Sequence, residues 1–193
     1  MAKIADEAAA TAAALERLAR LMRADEHADG LNPAQWGALR YLSRANRFSN
    51  SPGALTRYLG ATKGTVSQTV IALERKGFVE KAVRESEKRS VSLSLTEKGR
   101  AALVKDPWAR LQTAIDDLGE KTRRRMAKGA RELLDAELAR GSHAVFGACA
   151  GCRYFRERGL EDDARGPHQC MHFNAPVSKA EQGLICAEHA AGY

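Results

Sequence analysis

The sequence predicts a mainly α-helical fold with one small β hairpin, followed by a small cysteine-rich C-terminal module. Three observations carry this. Apolar residues recur at three- and four-residue spacing through most of the chain as far as Arg140, the signature of helices with one buried face. The period changes to two only in "FVEKAV" and "SVSLSL", which flank the charged tip "RESEKR" and read as a half-buried hairpin. All four cysteines, Cys149, Cys152, Cys170 and Cys186, stand beyond the helical part. A chain of 193 residues, 44% of them apolar, has material for one ordinary domain and an appendage. The expected division is 1–141 and 142–193.

The elements follow in order. Residues 5–27 place Ala8, Ala12, Leu15, Leu18 and Met22 on one stripe of a long helix that stops at "DGLNP". Asn32 is a good N-cap and Pro33 suits the first helical position, so "NPAQWGALRYLSRAN" forms the next helix with Trp36, Leu39 and Leu42 inward. After the loop "RFSNSPG", Leu55, Tyr58 and Leu59 mark a short helix broken at Gly60. Thr62 caps "TKGTVSQTVIALERKG", which buries Val66, Val70 and Leu73 and ends at Gly77. The hairpin comes next, and Thr96 then caps "TEKGRAALVKD". Pro107 kinks or restarts the helix. From Trp108 to Arg140 one or two helices carry Leu111, Ile115 and Leu118, then Met126, Leu133, Leu134 and Leu138, and "RGSH" reads as a linker.

Helix, short helix, tight turn, second helix and charged hairpin make a winged helix-turn-helix, in which the second helix of the pair enters the DNA major groove. The formal net charge of +7 suits a polyanionic partner. Residues 5–140 resemble the MarR family of bacterial transcription regulators. The resemblance rests on Leu73 to Gly77 at the helix end, on Glu87-Lys88-Arg89 in the wing, and on Leu95-Thr96 to Gly99 opening the following helix. Glu87 stands where the family usually has Asp. The resemblance implies a homodimer held by the first and last helices, presenting two recognition helices to a roughly palindromic double-stranded operator. The apolar stripe of residues 8–22 fits such a partner surface.

With Val66, Val70 and Leu73 inward, Gly64, Thr65, Ser67 and Gln68 face away from the core, with Thr62 and Lys63 at the helix start. Gln68 has the paired donor and acceptor that match adenine, Thr65 and Ser67 reach base edges or thymine methyls, and Lys63 meets phosphate. Lys88 and Arg89 at the wing tip, and Arg57 on the preceding helix, are candidate backbone or minor-groove contacts. Ile71 also points outward, where it is expected to pack against the preceding helix. "KTRRRMAKGAR", residues 121–131, reads as a solvated or DNA-flanking face.

Enzyme signatures are missing: the chain has no Gly-rich phosphate loop, no HExxH and no nucleophile elbow. The N-terminus carries acidic residues inside its helical pattern and no continuous apolar run, so neither a signal peptide nor a membrane span is expected and the chain reads as cytoplasmic. Clustered cysteines in that compartment favour metal binding or redox chemistry over structural disulfides.

Cys149-x-x-Cys152 lacks the strand–helix setting of a redox thiol pair, and Arg153 follows where a haem attachment site has histidine. The segment after Ala144 is poor in large aliphatics and needs a staple to offset its ordering entropy. Four thiolates on a metal supply one. Zinc would use Cys149, Cys152, Cys170 and Cys186, or exchange one for His172 or His189. An iron–sulfur cluster would take the four thiolates and leave His168, His172 and His189 as hydrogen-bonded surroundings or surface groups. One C-x-x-C pair instead of two tight knuckles tilts the reading toward iron–sulfur, with zinc as the alternative.

The expected function is a DNA-binding repressor whose affinity is tuned by this centre, through loosening of the tail and a changed spacing of the recognition helices. Two alternatives stand beside it. One is a repressor with a structural zinc and a small aromatic effector between the helices; the other is a metal-trafficking or electron-transfer protein using the winged helix as an interaction module.

Overall fold

The computed structural model describes residues 2–27, 30–84, 87–141, 143–160 and 163–192, and the side chains within these except at 2–5 and 84–90. Helix α1 is Ala2–Asp25, α2 Pro33–Arg44, α3 Pro52–Leu59 and α4 Lys63–Arg75. Strands β1 (Val79–Arg84) and β2 (Glu87–Leu95) form the hairpin, and α5 (Glu97–Val104), α6 (Pro107–Asp116) and α7 (Glu120–Ala139) complete the helical part. The C-terminal part is a set of very short strands: β3 (Gly147–Ala148), β4 (Phe155–Arg156), β5 (His168–Cys170), β6 (Ala175–Val177) and β7 (Ile185–Cys186).

Each boundary in the winged helix has a local cause. Asn32 accepts from the Gln35 amide while the Gln35 side chain accepts from the Asn32 amide, a reciprocal capping box that satisfies two otherwise orphaned donors. Ser51, Thr62 and Thr96 cap α3, α4 and α5 through the same side-chain-to-N3 bond. Gly60, at φ 60°, sets the left-handed turn between α3 and α4 that only a residue without Cβ adopts readily. Pro107 opens α6, with Asp106 as its cap.

The core gathers Trp36, Leu39 and Tyr41 of α2, Leu55 of α3, Val66, Val70 and Leu73 of α4, and Val79, Leu93 and Leu95 of the hairpin. β1 and β2 are antiparallel from Val79↔Leu95 to Val83↔Val91, with a register shift before Arg84. Gly99 of α5 sits against the Phe78 carbonyl, which also accepts the Thr96 amide, and a Cβ built there would overlap that oxygen. The glycine of "LTEKG" is therefore a packing requirement. Alanine gains about 1 kcal/mol in helix propensity but must displace backbone, at a cost of about 1–3 kcal/mol. Gly99→Ala is expected to lower the thermal midpoint, and a midpoint at or above that of the unmodified chain would show that the wing–α5 junction yields freely.

The long helices behave differently. Among the described side chains of α1 only Met22 is buried, while Leu15 and Leu21 are 46% and 51% exposed. α7 has no buried residue, and Leu133 and Leu134 are more than half exposed. The end of α1 and the start of α6 join the winged helix through an ionic knot: Arg40 of α2 pairs with Glu26 and Asp106, and Trp108 Nε1 donates to Glu26 at 2.9 Å.

The cysteine-rich segment folds as one two-stranded sheet, β3 with β7, and one three-stranded sheet in the order β4–β5–β6. It packs directly onto the helical part. Ala187 belongs to the winged-helix core, and Phe146 and Ile185 pack against it.

Candidate nucleic-acid interface and metal centre

The candidate reading surface is built by α3, the Gly60 turn and α4. Val66, Val70 and Leu73 are at most 2% exposed, which turns Lys63, Gly64, Thr65, Ser67 and Gln68 to solvent together with Thr62. Thr62 Oγ1 accepts from the Thr65 amide at 3.1 Å and bonds the Thr65 hydroxyl at 2.9 Å, fixing the helix start. The five candidate contacts at and after that start, Thr62, Lys63, Thr65, Ser67 and Gln68, are thus all exposed. Ile71 remains 47% exposed instead of packing against the preceding helix, so α4 carries an apolar position beyond its polar end. Arg57 is exposed on α3, where it pairs with Glu188. The Lys88 and Arg89 side chains lie outside the described residues.

The four cysteines, up to 37 positions apart in sequence, line one tight pocket, with a free volume of about 10 Å³, together with Phe48, Tyr154, Phe155, His172, Phe173 and Glu188. Their convergence has a backbone origin. Cys149–Gly151 is a single 3₁₀ turn closed by the Cys152 amide on the Cys149 carbonyl at 2.9 Å, which folds the C-x-x-C pair back on itself. Cys170 ends β5 opposite Phe155 and Ala175, and Cys186 on β7 pairs with Gly147. All four are free thiols. Burial pushes the Cys149 thiol up to about 11, while a hydrogen bond from Asn46 Nδ2 at 3.6 Å works the other way. An apolar, shielded thiol of this kind is inert until a metal replaces its proton.

His172 lies in the pocket wall, tilted against the Tyr154 ring and edge-on to Phe173. His189 packs instead under Gly147, which has no room for a Cβ beside the imidazole. His168, expected among surrounding or surface groups, is 4% exposed, and its Nδ1 accepts from the Arg158 amide at 3.2 Å. Among the described residues no three His, Cys, Asp or Glu side chains already close on a point that would hold one ion. A tetrahedral zinc, with Zn–S near 2.3 Å, draws its sulfurs to about 3.8 Å from one another. Four thiolates are a ligand set shared by structural zinc sites and the common iron–sulfur clusters.

Sequence reasoning placed the cysteines but missed the wall they share with the winged helix. Asn46, Arg47, Phe48 and Ser49 form the turn between α2 and α3, and every one of them touches the C-terminal segment. The Asn46 amide donates to Ile185 at 3.0 Å, Arg47 pairs with Glu181 at 2.6 Å, Phe48 stacks on Phe173 with ring centres 4.4 Å apart, and Ser49 Oγ accepts from the Ala187 amide at 2.7 Å. Phe146 meets Tyr41 and Tyr58 edge-on. These partners lie more than 80 positions apart in sequence, with no periodic signal.

Residues 29–90 match the model of the MarR family. The match covers α2 to the hairpin and stops short of the cysteines. The chain is also similar to the transcriptional repressor MprA of Escherichia coli (strain K12), 28% identical over 109 residues, which are 51% of this chain and 62% of that protein. The chain thus spans under two thirds of this curated relative. Among solved structures, a MarR transcriptional regulator from Methanosarcina mazei Go1 aligns with TM-score 0.54 and 20% identity over 69% of this chain and 98% of that one. Streptococcus pneumoniae FabT in complex with DNA aligns with TM-score 0.51 and 22% identity over 69% and 95%. Those likenesses establish the MarR-like winged-helix fold. No helix among the described residues is long and apolar enough to cross a membrane.

Proposed function

We propose that the chain is a DNA-binding transcription regulator, a repressor acting as a homodimer, with an iron–sulfur centre in its C-terminal module. The observation that carries the first part is the exposed polar start of α4 on a MarR-like winged helix: Thr62, Lys63, Thr65, Ser67 and Gln68 present base-reading and phosphate-binding chemistry on one face. Both MprA, by its name, and FabT, by its complex, supply precedent for repression and DNA binding on this fold. The dimer is supported by the exposed Leu15 and Leu21 of α1 and Leu133 and Leu134 of α7, apolar positions that a second copy would cover. The centre is supported by four free thiols around one aromatic-walled pocket.

Cys149, Cys152, Cys170 and Cys186 would hold the cluster, and such a group supplies a charge and oxidation state that can change with the redox environment. The chain's own residues do the rest: Asn46 donates to the Cys149 sulfur, and Phe48, Tyr154 and Phe173 wall the site with aromatic rings. A cavity lined by Leu31, Trp36, Phe78, Ala102, Lys98 and Lys105 has the apolar floor and cationic rim for a small aromatic anion as effector.

Selection of duplexes from a random pool tests the regulator directly. The full chain is expected to enrich a two-fold-symmetric sequence, and Gln68→Ala to relax one position in each half-site by about 1–3 kcal/mol while leaving the salt dependence unchanged. Equal affinity for all duplexes would reject sequence-specific regulation.

A further inference from the structure

The C-terminal module is mounted on the reading unit. It holds the α2–α3 turn at Asn46, Arg47, Phe48 and Ser49, and from that grip one more side chain reaches forward: Glu188 Oε1 accepts from Arg57 Nη2 at 2.6 Å. Arg57 stands on α3, the helix that leads into the reading helix. Glu188 is two residues from Cys186, and the intervening Ala187 is buried and anchored by its amide to Ser49. The carboxylate is thus presented to Arg57 by a fixed backbone. An exposed ion pair between two free side chains shifts an equilibrium by about fivefold at most, partly because both must be ordered to form it. Here one partner is positioned in advance.

We infer that Glu188 competes with DNA phosphate for Arg57, so that the docked C-terminal module acts as a brake on DNA binding by occupying a cation of the reading unit. This rests on the reading of α3 and α4 as the DNA-binding unit. A guanidinium bonded to a carboxylate has part of its donor fork occupied and its charge neutralised, and it releases no counterion from DNA until that carboxylate leaves. Any event that unseats β7 and Glu188 from the α2–α3 turn would return Arg57 to the phosphate. The expected direction is tighter DNA binding when the module undocks, through a route other than the spacing of the two recognition helices.

The test uses the full chain and the duplex it selects from a random pool, with affinities measured across a range of salt. Glu188→Gln is expected to bind about threefold to fivefold more tightly than the unmodified chain and to steepen the slope of log K against log salt by about 0.9, the equivalent of one added phosphate contact. Arg57→Gln should abolish that gain, so that the double variant behaves as Arg57→Gln alone. Equal binding by Glu188→Gln and the unmodified chain overturns the inference while leaving the regulator reading standing. So does a gain in affinity that persists in the double variant, which would assign the effect to general repulsion by Glu188. Failure to select any duplex would defeat the regulator reading itself, and the inference with it.

Discussion

Serine in place of Cys149 is expected to strip the iron from anaerobically purified protein and to open the C-terminal module to protease, while α2 to α5 stay folded. The expectation follows from how little else holds this segment together. Its strands are two or three residues long, and among the described residues its buried apolar side chains are Pro176, Val177, Ala187 and the two cysteines Cys149 and Cys186. So small a core cannot offset the ordering of its backbone, whereas a structural metal contributes on the order of 10 kcal/mol. Cys149 is the most informative position because its sulfur is buried and accepts from Asn46, itself 1% exposed. Removing a supporting hydrogen bond costs about 10–100-fold in metal affinity, so Asn46→Ala should retain a weakened centre where Cys149→Ser retains none. Iron and sulfide per chain, an anaerobic absorbance spectrum and limited proteolysis read this out. Zinc alone in the unmodified protein, with no charge-transfer absorbance, would replace the cluster by a structural ion. Full metal content in Cys149→Ser would remove Cys149 from the ligand set.

The helical part was legible because its signals are local. Asn32, Thr62 and Thr96 each act on the amide three residues ahead, Gly60 and Gly77 adopt positive φ where their helices end, and the change of period at Phe78 marks the hairpin. The cysteine pocket was legible for a different reason, since few arrangements other than a shared site explain four thiols in a short segment. The docking of that segment carried no such signal. Two-residue strands are too short to show alternation, and the pairs Asn46–Cys149 and Arg57–Glu188 are separated by 103 and 131 positions. Nothing in "RANRFSN" distinguishes a turn that grips another module from one that faces water. The stripe of Ala8, Ala12 and Leu15 could be read as apolar, but in a single chain it is solvent-facing. Its partner surface belongs to another copy in the proposed dimer, which a single chain's packing does not display.

Removal of Arg40 is expected to have the largest effect on the stability of the helical part. Glu26 and Asp106 are 2% and 8% exposed, and one guanidinium serves both: Nη1 meets Asp106 at 2.9 Å while Nη2 meets Glu26. The Trp108 indole closes the knot by donating to Glu26, with the Arg40 guanidinium 5.5 Å from its ring centre, and Asp106 also caps α6 through the Trp108 amide at 3.0 Å. Deleting the cation leaves two buried carboxylates facing each other, a situation that costs about 3–5 kcal/mol. Arg40→Met should therefore shift the urea midpoint downward by that equivalent. Arg40→Lys should fall between, because a single ammonium lacks the planar fork that spans two carboxylates. Adding Glu26→Gln to Arg40→Met should recover part of the loss, since one of the two stranded charges is then gone. A change of less than about 1 kcal/mol in Arg40→Met would mean that water reaches these carboxylates freely, as it does for surface pairs. The same knot fastens α1 and α6 to α2, so the Met variant should also loosen the joint between the proposed dimer helices and the reading unit, and bind operator less tightly even at temperatures where it remains folded.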